Sequence, residues 1–136
     1  MANLRAAAAV LLLLALTGCS GARGGDDREC YDVTPELMAA IAEGANEIPI
    51  TPIDAAAVKS ENFDDAYIVA MSFTVAGVDD PQVGVWAVAT LEPPYAPFLA
   101  VDGFAHEFTV WPNEINGDEL TVTEDGVTEA KACLEG

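Results

Sequence analysis

The stretch Tyr67-Ile-Val-Ala-Met-Ser-Phe-Thr-Val75 decides the fold. Strand side chains alternate between faces, so Tyr67, Val69, Met71, Phe73 and Val75 share one face, with Ser72 and Thr74 opposite. The spacing predicts a strand over 66–75. Next, Ala76-Gly-Val-Asp-Asp-Pro-Gln82 has the composition of a turn, and 83–91 reads as a second strand. Trp86 lies on the face of that strand opposite Val85 and Ala87. Glu92-Pro-Pro-Tyr-Ala-Pro97 turns the chain again, and 98–102 returns as a third strand. Three such runs on short loops predict an antiparallel meander.

Upstream, Thr34-Pro35-Glu36 combines a hydroxyl cap, a proline at the first helical position and an acid in the first turn. A helix is expected over 35–43, with Leu37, Ala40 and Ile41 on one face and Gly44 or Asn46 ending it. Ile48-Pro-Ile-Thr-Pro-Ile53 is extended and proline-broken, which suits an edge or a lead-in; 54–60 reads as a short edge strand. Downstream, Phe104, Phe108 and Trp111 recur at helical spacing, so 103–111 favours a short helix or irregular turn, stopped by Pro112. A polar loop is expected over 113–119. Asp125 is the expected cap of a last helix in which Val127, Ala130 and Leu134 share a face. The fold class expected is α+β: a small antiparallel sheet of three to four strands, with N-terminal and C-terminal helices packed on it.

The first residues carry an address. Arg5 precedes an unbroken apolar run, Ala6–Leu16, and a basic start before a short apolar core reads as an export signal. A bilayer needs roughly 20 apolar residues, more than this run supplies. The alternative, a buried core helix, fits poorly with the polar, glycine-rich stretch that follows. Leu16-Thr17-Gly18-Cys19 resembles the lipobox of the bacterial lipoprotein family, in which an aliphatic residue and two small ones precede cysteine. The resemblance implies cleavage after Gly18 and lipid on Cys19 through a diacylglycerol thioether. It divides the chain into a signal peptide (1–18), a lipidated tether (19–29) and one domain (30–136). Such a protein is anchored on the extracytoplasmic face of a membrane without spanning it, because two or more acyl chains hold stably where one does not. The Ser20–Asp27 stretch has a flexible composition and an extended reach of ~25 Å.

From Cys30 onward the chain also resembles small uncharacterised lipoproteins of high-GC Gram-positive bacteria. The likeness is carried by Val33-Thr-Pro-Glu-Leu37, Ala57-Val-Lys-Ser60, Tyr67-Ile-Val-Ala70, Gly84-Val-Trp-Ala87, Ala100-Val-Asp-Gly103 and Cys133. It implies the anchor, the single domain and a disulfide, and no activity.

Three cysteines occur, and lipidation of Cys19 leaves Cys30 and Cys133. In an oxidising exported compartment that pair is most simply a disulfide. Two buried free thiols are the alternative; a two-cysteine metal site has only His106 to complete it. The chain carries 23 acidic and five basic residues, a net charge of −18, and loss of the leader removes Arg5 and no acid. Such charge disfavours nucleic acid and close adsorption to anionic lipid, so the lipid on Cys19 must be the membrane contact. It favours solubility and weak binding of cations or basic partners.

No catalytic signature assembles from sequence. His106-Glu107 lacks the second histidine of a zinc protease. Ser20, Ser60 and Ser72 sit in no nucleophile elbow. The acid pairs Asp64-Asp65, Asp79-Asp80, Asp118-Glu119 and Glu124-Asp125 form no calcium loop and read as solvated turns. No cofactor and no metal site is expected. Trp86, Tyr95 and Trp111 have two readings, core packing or the lining of a ligand groove. The function expected is a non-catalytic binding or interaction domain at the cell envelope, whose partner is an unnamed envelope protein or ligand. The second reading is a carrier of a small ligand or calcium.

Overall fold

The computed structural model describes residues 28–63, 65–95 and 98–136. The expected signal peptide, Cys19 and most of the tether lie outside those residues. The elements in chain order are β1 (Tyr31–Asp32), α1 (Pro35–Ala42), β2 (Ile50–Lys59), β3 (Tyr67–Val75), β4 (Gln82–Val88) and β5 (Phe98–Ala100). There follow α2 (Gly103–Phe108), β6 (Glu114–Ile115), β7 (Asp118–Glu119) and α3 (Val127–Glu135). Strands β1 to β5 form one antiparallel sheet in sequence order. The class is α+β, and the Cys30–Cys133 disulfide, with Cα atoms 5.8 Å apart, ties the start of the sheet to the C-terminal helix.

The sheet has five strands, more than the three to four expected. Residues 50–59 form one long strand instead of a lead-in and a short edge. The prolines are accommodated locally: the register with β3 shifts between Pro52 and Asp54, a bulge on the part of β2 that β1 does not cover. Proline lacks a donor and is tolerated at such a place. Tyr31 and Asp32, too short to show a pattern, pair with Ala57 and Ala56.

Alternation along β3 and β4 divides the core in two. Val69, Met71, Phe73, Val75, Trp86 and Val88 pack with Leu37 and Ile41 of α1 on one face. Ile68, Ala70, Val85 and Ala87 pack with Val127 and Ala130 of α3 on the other. The face that holds Ser72 is therefore apolar at its near end. Thr34 caps α1 by accepting from the Leu37 amide at 3.2 Å, with proline following it.

Two further expectations are corrected. Residues 113–119 hold the β6–β7 hairpin, turned by Asn116 and Gly117, both at positive φ. Asn-Gly favours such a turn because these two residues tolerate the left-handed region. Asp125 does not cap α3. The cap position belongs to Gly126 at φ 100°, and a side chain there would meet Ile68 and Val58. The Asp125 carboxylate instead reaches Arg28, as described below.

Candidate functional site

Of the three aromatics read either as core packing or as a groove lining, Trp86 belongs to the α1-side core cluster, and Tyr95 and Trp111 pack against it. Trp86 is wholly buried and its Nε1–H donates to Thr109 Oγ1 at 3.1 Å, so its indole offers no surface to a ligand. Trp111 is half-buried, donates Nε1–H to the Ile41 carbonyl at 2.9 Å and meets Phe98 edge-on at 4.9 Å. Tyr95 is half-buried, with its hydroxyl 3.5 Å from Thr34 Oγ1. Trp86 packs as core, and the other two fasten α1 and the 109–112 segment to the sheet.

His106 is exposed on α2. Ser60 is buried, and its Oγ accepts from the Asn62 and Phe63 amides, which shapes the β2–β3 turn. Asp79, Asp80, Asp118 and Glu119 are exposed, whereas Asp64 lies outside the described residues. Among the described residues no three His, Cys, Asp or Glu side chains gather where they could hold a metal ion. Among the same residues no helix is long and apolar enough to cross a membrane.

Where the chain joins the domain, two clamps act together. Arg28, expected in the tether, is largely buried and grips both Asp125 carboxylate oxygens, at 2.8 and 3.1 Å. That bond holds the Asp125 carboxyl below its ordinary 3.8, the Glu61 amide adding to the effect and partial burial opposing it. Two residues on is Cys30, bonded to Cys133. The Glu29 carboxylate pushes the neighbouring Tyr31 phenol up.

At the other edge of the sheet, Asp102 organises a second feature. β5 pairs only with Trp86–Val88, after which the Val101 amide donates to the Val85 carbonyl at 2.9 Å. The Val85 amide then finds no strand opposite and donates to Asp102 Oδ1 at 3.1 Å. The same oxygen accepts from Ala105 at 2.9 Å and so caps α2. Oδ2 lies 3.9 Å from Lys131 Nζ on α3. One buried carboxylate thus holds β4, α2 and α3 together. Beyond it a groove of about 290 Å³ opens, walled by Pro81, Val83, Phe104 and Leu134, with Lys131 and Glu135 at its rim. Sequence reasoning missed this groove. The one available signal was Asp102 at the end of a strand and just before a helical run, a capping position.

No protein-family model, curated protein or solved structure matches the chain.

Proposed function

We propose that the chain is an exported lipoprotein, held to a membrane by lipid on Cys19, whose acidic domain binds a partner at the extracytoplasmic face of the cell envelope. The observation that carries this reading is the Cys30–Cys133 disulfide. Of three cysteines, the two left over by the lipobox are the two that bond, and disulfides persist in oxidising compartments. The clamps at Arg28 and Cys30 support it, because they fix the point at which a tether from Cys19 meets the domain. The role is binding rather than catalysis.

Fractionation of cells making the wild type and Cys19→Ala tests the anchor. The wild type is expected in the membrane pellet and the variant in the soluble exported fraction. A variant that stays in the pellet, or native protein that retains residues 1–18 by mass spectrometry, refutes the reading.

A further inference from the structure

We infer that the groove beside β4 takes an extended, basic segment of a partner protein as an added strand. This rests on the proposed binding role and names the surface and the chemistry of the partner.

The backbone supplies the first reason. In an antiparallel sheet, the N–H and C=O of successive residues point alternately to the two neighbouring strands. Val85 directs both groups away from β3, toward Val101 and Asp102. Val83, two residues earlier, therefore directs its own pair the same way. β5 ends before it reaches that level, since its register covers only Trp86–Val88. The walls supply the second reason. Val83 is half-buried at the groove, and Phe104, 47% exposed, stands opposite with Leu134. Strand addition uses such a pairing: main-chain bonds give affinity, and a pocket receives alternate side chains.

Charge selects the occupant. Asp79 and Asp80 lead into Pro81 on one side, and Glu135 stands on the other. The Lys131 ammonium faces the Asp102 carboxylate. With a net charge of −18, the chain repels a second copy of itself and attracts a cationic segment. The expected pattern places an apolar residue in the groove and basic residues two positions to either side of it, on the same face of the added strand as the acidic rim.

The test uses the full chain, isotope-labelled in detergent solution, and a short Lys-Ser-Val-Ser-Lys peptide, which puts valine and both lysines on one strand face. Saturable NMR shifts are expected to be largest at the Val83 and Phe104 amides, with slowed hydrogen exchange at Val83. The same peptide with glutamate in place of lysine is expected to leave both unmoved. Val83→Pro removes the outward donor while sparing the β3 ladder, and should weaken binding about five- to tenfold. Phe104→Ser removes one wall independently and decides the matter if the proline variant does not fold, with tryptophan emission reporting the fold. The inference is overturned by no shift, by equal response to the glutamate peptide, by shifts spread evenly over acidic surface, or by undiminished binding in a folded variant. Membrane partition of the same preparations is read separately, so failure of the groove and failure of the anchor are distinguishable.

Discussion

Replacing Asp102 by alanine is the sharpest test of how the edge of this sheet is held. The carboxylate is only 3% exposed, and Oδ1 alone receives the Val85 and Ala105 amides at 3.1 and 2.9 Å. Alanine leaves two buried donors without an acceptor, each costing about 1–3 kcal/mol. The 3.9 Å contact with the 41%-exposed Lys131 adds little, about 1 kcal/mol or less for a pair so open to solvent. The expected loss for Asp102→Ala is about 3–5 kcal/mol, a large share of the stability of a small domain. Asparagine keeps an oxygen at the same place, so Asp102→Asn should lose about 1–2 kcal/mol. Urea unfolding followed by tryptophan emission measures both, and the slope with denaturant should be unchanged. Hydrogen exchange at the Val85 amide should accelerate in the alanine variant only. Equal losses in the two variants would refute the reasoning, because the charge, not the shared acceptor, would then dominate.

Three further outcomes follow from the packing. The disulfide spans 103 residues, so removing it in a Cys30→Ser, Cys133→Ser double variant should cost about 4–5 kcal/mol by loop entropy; a loss below about 1 kcal/mol in urea unfolding would count against it. The Asp125 carboxyl titrates lower in the folded state than its ordinary 3.8, so its contribution is present above pH 3.8 and lost as pH falls through the lower folded value. The stability gap between wild type and Asp125→Asn, about 2 kcal/mol at neutral pH, should therefore shrink only below pH 3.8, and a gap that is constant with pH would contradict the Arg28 clamp. A methyl group at Gly84 would lie 2.7 Å from the Trp86 ring, so Gly84→Ala should destabilise by about 1–3 kcal/mol, whereas Gly103→Ala, in open space, should not.

Much of the fold is legible because β3 and β4 pattern strongly. Their alternation places Trp86 with Val69 and Phe73, and Val85 with Ile68, as the structure shows. The first helix is legible from Thr34 and Pro35, whose effects are local. The disulfide follows from counting cysteines once Cys19 is set aside. What escaped depends on contacts distant in sequence or on segments too short to repeat. Tyr31 and Asp32 become a strand only because Ala56 and Ala57 are beside them. Asp125 resembles a cap locally, yet its partner Arg28 lies 97 residues away. Asn116-Gly117 is a turn signal flanked by too little alternation to mark a hairpin. The groove draws Val83, Phe104 and Leu134 from three elements, and no local pattern unites them.

Asp102 also explains why the β4 edge stays open beyond the end of β5. A longer β5 would continue past Val101 and pair with Val83, covering the exposed backbone. The chain instead leaves the sheet at Asp102, where the side chain supplies the acceptor that a strand partner would have given Val85 and at the same time starts α2. α2 can then lie close over β4 only because Gly84 has no side chain. The same substitution of a carboxylate for a strand therefore stabilises the edge at Val85 and exposes it at Val83. Long bare edges invite aggregation, and a strongly acidic surface with a short edge limits that hazard while leaving room for a cationic strand. Stability and recognition are thus set by one residue, so Asp102→Ala should weaken peptide binding at Val83 along with the fold, and Asp102→Asn should preserve most of both.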